Sequence, residues 1–309
     1  MHVHCGPNAH SHIKPASGFL SAALLATLIL VAAEFLGGYL GHSIALLSDA
    51  IHNLSDVPTI LISWIAAHWA GRPADAERTF GYRRAGVLAA FANSILLLLV
   101  ALALLWGSLD RFRHPVAVRE QWMIGLSLLA LAINGGITLG LVRGRRDLNI
   151  RALLVHNFGD ALSNVGILAG AVVIRVTGTL WLDPALGLLI AGLVLWSSIG
   201  ILRESGHILL EGLPRKMCLP EVAQAILQVP GVQEVHDVHI WTLGTDDHAL
   251  SCHIRIPDMH MEQSERILTE ICGRLANTFG IHHATVQFER AGLPETGFYM
   301  PETFRSTKE

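Results

Sequence analysis

Histidine and aspartate recur four residues apart at His52 and Asp56 and again at His156 and Asp160, each time inside a stretch apolar enough to cross a bilayer. Ionisable groups at such depth are expensive and usually functional. A spacing of four puts both side chains of a pair on one face of a helix. Two such helices packed together would offer two imidazoles and two carboxylates to one ion, a tetrahedral set that suits Zn2+. Four thiolates would hold zinc too firmly for rapid turnover, whereas this mixed set lets it leave. Once the metal has gone, carboxylates and imidazoles crowded in a low dielectric gather protons, so metal and proton compete for the same ligands. The chemistry implied is movement of zinc against protons. No Gly-x-x-x-x-Gly-Lys-Ser/Thr sequence is present to couple the movement to a nucleotide.

A His-Asp pair has a plainer role open to it, since buried polar pairs also lock membrane helices together. One pair alone would leave the two roles level. Two pairs of identical spacing favour a shared ion site. Asp49 lies three residues before His52 on nearly the same face, and either replaces a ligand or supports one, as Asn53 and Asn157 could. Glu34 reads as a helix contact or a cavity-lining charge, and Asn93, Asn134 and Asn164 read as ties between helices. Gly37, Gly38 and Gly41, and likewise Gly135 and Gly136, would permit close helix approach.

The elements that must position these groups are legible in composition. Of 309 residues 51% are hydrophobic and only 15% charged, outside the usual range of water-soluble domains. Net charge is -3, with 17 His, and nothing suggests a nucleic-acid partner. Cys5, Cys218, Cys252 and Cys272 are scattered and form no Cys-x-x-Cys, as expected of reduced thiols in the cytoplasm. Six stretches are long enough to span: Phe19 to Leu40, Ile44 to Trp69, Ala85 to Leu109, Trp122 to Val142, Ala152 to Ile174 and Leu182 to Leu202.

The loop after the second span holds Arg72, Arg78, Arg83 and Arg84, and the loop after the fourth holds Arg143, Arg145, Arg146 and Arg151. The positive-inside rule makes both cytoplasmic and, with six spans, both termini as well. Arg111, Arg113 and Arg119 after the third span point weakly the other way. At ~1.5 Å per helical residue, Asp56 and Asp160 then lie at about the same depth near mid-bilayer.

Residues 1–18 form a His-rich cytoplasmic tail carrying His2, His4, His10 and His12, which either captures zinc or is dispensable. Residues 19–208 form the six-helix membrane domain. From about Leu209 the character changes, with Pro214 and Pro220 as breakers. Over 209–290 the pattern predicts a helix at Pro220 to Val229, strands at Val235 to Leu243 and Leu250 to Pro257, a helix at Glu262 to Phe279 and a strand at Ala284 to Glu289. The order αββαβ implies a small α+β domain, followed by a flexible tail over 291–309.

The segments Ser48 to Asp56 and His156 to Asp160, the Thr79-Phe80-Gly81-Tyr82-Arg83-Arg84 loop and the Val235-His236-Asp237-Val238-His239-Ile240-Trp241 strand together resemble the cation diffusion facilitator family. The resemblance covers nearly the whole chain. It implies a homodimeric zinc/proton antiporter in a lipid bilayer, with its transport site at His52, Asp56, His156 and Asp160. It also implies a metallochaperone-like cytoplasmic domain whose matching metal candidates are His236, His253 and Glu289. His at position 52 goes, in the family, with zinc over Cd2+, and Co2+ or Ni2+ are expected as minor substrates. Members with a further metal in the loop after span two carry an Asp and two His there. Here Asp75, Arg78 and Tyr82 stand instead, so no metal is expected. A terminal Cys-x-x-Cys found in some members is also absent, and His2, His4 and Cys5 could reach that domain in its place; His239, His260, His282 and His283 read as surface histidines.

The resulting expectation is a secondary-active Zn2+ exporter of a bacterial inner membrane, not an enzyme, because four protein ligands leave no place for a catalytic water. The alternative is a membrane-bound divalent-metal sensor that binds without net transport.

Overall fold

In hydrocarbon a backbone has no water to bond, so the Leu, Ala, Ile and Val runs of this chain must satisfy their own N–H and C=O groups as helices. The computed structural model describes residues 17–54, 74–142, 148–244, 247–290 and 304–305, with the side chains of 17–24, 140–142, 148–157 and 305 outside that description. The chain divides into two compact units, one of residues 12–64 and 89–203, the other of residues 1–11, 65–88 and 204–309.

The helices are α1 (Ser17–Gly41), α2 (44–54), α3 (Ala85–Arg113), α4 (Glu120–Val142), α5 (Leu148–Thr177) and α6 (Leu182–Leu209). Among the described residues four stretches are long and apolar enough to cross a membrane: Ala85–Arg113, Glu120–Leu139, Phe158–Thr177 and Leu182–Leu209. Leu25–Gly41 is a shorter apolar helix, and the expected second span is described only to residue 54. The last helix runs past the expected Leu202 to Leu209, because Arg203, Glu204 and His207 continue a helix as readily as apolar residues do.

Burial in the helical unit is inverted relative to a water-soluble protein. Trp106, Leu139 and Trp196 are broadly exposed while Ser48, Ser94, Ser108, Ser127 and Asn164 are buried, as a lipid-facing surface requires. A core of Ala45, Leu46, Met123, Leu126, Ile167 and Ile190 draws on α2, α4, α5 and α6. Gly37 and Gly41 admit Leu126 and Trp122 of α4 against α1, and Gly38 admits Leu47 of α2, so these three glycines do serve close packing. At Gly135 and Gly136 an added Cβ would meet nothing within 4 Å among the described residues.

The other unit contains α7 (Leu219–Leu227), β1 (Glu234–Gly244), β2 (Asp247–Arg255), α8 (Met261–Phe279), β3 (Ile281–Glu289) and β4 (Phe304–Arg305). The sheet order is β3-β2-β1-β4, with β1 antiparallel to β2 and β2 parallel to β3. Parallel neighbours need a long crossover, and α8 supplies it. Its last turn ends at Gly280, whose φ of 65° suits a residue without a Cβ. Val222, Ile226, Ile271 and Leu275 pack the helices on Val235, Leu250 and Ile254 of the sheet. The elements follow the expected αββαβ order with one addition. Phe304 and Arg305, within the segment expected as a flexible tail, pair antiparallel with Val235 and Glu234 of β1.

In the same unit Asp75 accepts hydrogen bonds from the Glu77 and Arg78 backbone at 2.9 and 2.6 Å, and Arg78 lies over the Tyr82 ring. All three residues are thus engaged in a local turn. Arg83 pairs with Asp247, and Phe80 meets His283 edge-on at 5.3 Å.

Candidate metal centres

Of the four intramembrane residues expected as ligands, two have described side chains, and these two meet. His52, on the third turn of α2, places Nε2 3.3 Å from Oδ1 of Asp160 on α5. Asp56 and the side chain of His156 lie outside the described residues. Asp160 is buried; the His52 side chain keeps 26% of its surface, so the pair is not sealed.

The surrounding groups are polar and buried. Asp49 accepts a hydrogen bond from Ser163 of α5 at 3.0 Å, and Asn53 donates to Glu34 of α1 at 2.8 Å. Asp49 therefore binds α2 to α5, and Glu34 makes the helix contact that its position suggested. One carboxylate oxygen of each acid has no hydrogen-bond partner among the described residues. Asn164 was expected to tie helices together, but it donates within α5 to the Asp160 carbonyl at 2.9 Å.

The second cluster lies on strands. His236 of β1 stands opposite His253 of β2, so both point to one face of the sheet. Glu289 of β3 lies two residues beyond Gln287, the parallel partner of His253, and so shares that face. His236, His253 and Glu289 each bring one donor atom within 4.8 Å of the other two, the only such group among the described residues. Glu289 oxygens lie 3.2 Å from His236 Nε2 and 3.0 Å from His253 Nδ1. Yet both ring nitrogens of His236, Nδ1 of His253 and Oε2 of Glu289 make no hydrogen bond among the described residues. Close approach without hydrogen-bond alignment, in side chains that are fully or largely buried, is an arrangement able to hold a metal ion. Two imidazoles and a carboxylate fit zinc and leave a fourth position open.

Three residues that sequence reasoning did not assign hold this cluster in place. Asp237 sits in a bulge of β1 with φ 50°, a left-handed conformation that Asp tolerates better than most residues. It turns its carboxylate to within 3.7 Å of Nε2 of His253, the nitrogen pointing away from the cluster, and bonds His239 at 3.0 Å. His239 is thus exposed but not idle. Arg255 pairs with Glu234 at 2.9 Å, and Glu234 approaches Nδ1 of His236 at 3.4 Å. The acids flanking His236, Glu234 and Asp237, are the signal the sequence offers, and strand neighbours are too often acidic for it to count. His260 and His282 are exposed and stand apart from this cluster. Beside His253, burial pushes the Cys252 thiol up to about 12, with Cys272 and Asp237 adding to the effect. Cys218, Cys252 and Cys272 form no disulfide among the described residues.

Residues 20–210 match the cation efflux transmembrane domain and residues 214–291 the cation efflux protein cytoplasmic domain. The chain is 35% identical over 290 residues to a cadmium, cobalt and zinc/H(+)-K(+) antiporter of Bacillus velezensis, covering 91% of this chain and 92% of that protein. It is 34% identical over 287 residues to the zinc transporter ZitB of Pectobacterium atrosepticum, covering 91% and 89%. Among solved structures, the metal-bound C-terminal domain of the CzcD transporter from Cuprividus metallidurans is 38% identical, covering 24% of this chain and 99% of that one, with a TM-score of 0.22.

Proposed function

The chain belongs to the cation efflux family, the cation diffusion facilitators, and from that premise we propose that it exports Zn2+ from the cytoplasm in exchange for protons. The observation that carries the reading is the meeting of His52 with Asp160 across α2 and α5, a partly open histidine-carboxylate pair between two apolar helices. Asp56 and His156, each four residues from one of these, complete the ligand set. A zinc ion entering this site displaces protons from the imidazoles and carboxylates, and protons arriving from the other side restore them when it leaves. Four protein ligands fill the shell of the ion, which fits a carrier and not an enzyme.

His236, His253 and Glu289 form a second, cytoplasmic zinc site with a regulatory role. Zinc there would tie β1, β2 and β3 to one another, with Asp237 orienting His253 and the Glu234–Arg255 pair supporting His236. The protein works as a homodimer in a bacterial inner membrane, with both termini cytoplasmic, and accepts Co2+, Ni2+ or Cd2+ less readily than Zn2+. Names of the relatives support transport over the sensor reading.

The test is zinc flux into proteoliposomes under an imposed pH gradient, with K+ equal on both sides in one arm and graded in the other. Gradient-driven uptake by the wild type, lost in Asp160→Ala, is expected. Zinc binding without flux in the wild type would replace the exporter with the sensor, and flux following only the K+ gradient would replace the counter-ion.

A further inference from the structure

The end of α2 nearest α1 is held by a residue 139 positions away. Asp183, in the first turn of α6, is fully buried and accepts hydrogen bonds from the Ile44 and Ala45 backbone N–H groups at 2.9 and 3.2 Å and from the Ser43 hydroxyl at 2.5 Å. Ser43 in turn takes the Leu46 N–H at 3.2 Å. The first amides of a helix have no partner within it and are usually capped by a neighbouring side chain. Here a carboxylate from another helix caps them, at the positive end of two helix dipoles at once.

Arg111, in the last turn of α3, completes the joint. Its guanidinium lies 3.4 Å from Asp183 and donates to the His42 carbonyl, which accounts for an arginine that ran against the positive-inside pattern. Packing fixes the same place. Ile44 fits between two glycines, Gly107 of α3 and Gly187 of α6, where an added Cβ would come within 3.1 and 2.8 Å of it. His52 lies eight residues along the same helix, ~12 Å from Ile44.

We propose that Asp183 is a positioning residue for transport: with Arg111 and Ser43 it makes residues 43–45, where α2 begins, a fixed joint on α3 and α6. Opening and closing of the His52–Asp160 pair then comes from movement of α2 about that joint, and not from α2 sliding along its neighbours. The proposal rests on the transport reading above. A buried carboxylate with four partners cannot be removed without stranding donors in a dry interior, so the joint is stiff.

The test compares maximal flux in proteoliposomes with equilibrium zinc binding, in a His236→Ala background so that only the intramembrane site titrates. Asp183→Ala is expected to lower maximal flux by about tenfold or more while zinc affinity stays within about threefold, a split that loss of the site itself would not give. Backbone amides at 44–46 should exchange faster in the same variant. Arg111→Gln leaves three of the four partners and should act in the same direction by less.

A disulfide between Ile44→Cys and Gly187→Cys supplies the converse, with the free hydroxyl of Ser108 turning aside. Oxidised protein that retains flux within about twofold of the reduced form supports a joint that stays shut through the cycle, and carries the test if Asp183→Ala does not fold. Flux abolished by oxidation, full flux in Asp183→Ala, or affinity falling in step with flux would each overturn it. Absence of flux in the wild type would overturn the transport reading instead, before any variant is compared.

Discussion

The two histidine-carboxylate centres use the same donors on different scaffolds. His52 and Asp160 come from two helices, whose spacing can change by tilting without breaking a backbone hydrogen bond. His236, His253 and Glu289 come from three paired strands, where the ladder sets the distance between ligands and a shift of one residue would turn a side chain to the other face. The first pair is partly open and the second cluster nearly closed. On the proposed reading the same chemistry serves once to pass an ion on and once to hold one, and the scaffold, more than the ligand type, separates cargo from fixture.

The largest test of that contrast is Asp160→Ala, expected to reduce zinc flux by about a hundredfold or more by removing a ligand, while zinc binding at the cytoplasmic cluster is retained. Equal loss at both centres, measured by equilibrium zinc titration, would erase the distinction. His236→Ala should do the opposite. It should lower affinity of the cytoplasmic site by at least about a hundredfold and flux by only a few-fold.

Asp237→Ala should weaken the cytoplasmic site by roughly tenfold, since a carboxylate behind a ligating imidazole commonly contributes that much. Unchanged zinc affinity would show that the bulge shapes the strand and not the metal. The smallest effect concerns thiols. With its pKa pushed up to about 12, Cys252 is a neutral thiol at all ordinary pH and should resist alkylation near neutrality, where exposed Cys218 reacts. Bound zinc at the adjacent His253 should slow labelling of Cys252 further, and mass spectrometry of the two peptides reads both rates.

Much of this was legible in the chain because it depended on local spacing. The four-residue repeat of His and Asp, the apolar run lengths and the order of elements in the cytoplasmic unit are periodicities, which survive without knowledge of the fold. Asp183 is the instructive omission. It stands as a lone acid at the mouth of an apolar helix, a signal of function in itself, but its partners at 43–45 are 138 to 140 positions distant. No spacing rule reaches that far. The left-handed backbone at Asp237 left no mark either, since an Asp in a strand looks the same whichever way φ turns. β4 was hidden because two residues are too few to show alternation, and only the exposed edge of β1 makes them a strand.

The parallel pairing of β2 with β3 also has a consequence in time. Glu289 cannot join His236 and His253 until α8 has formed and carried the chain back across the sheet, so the three residues of the cytoplasmic cluster are united only in a non-local step of that unit's folding. Zinc held by all three proposed ligands must wait until residue 289 has left the ribosome and found its place. Zinc captured at the proposed site would therefore report that β1, β2, α8 and β3 have assembled, and would stabilise them against unfolding.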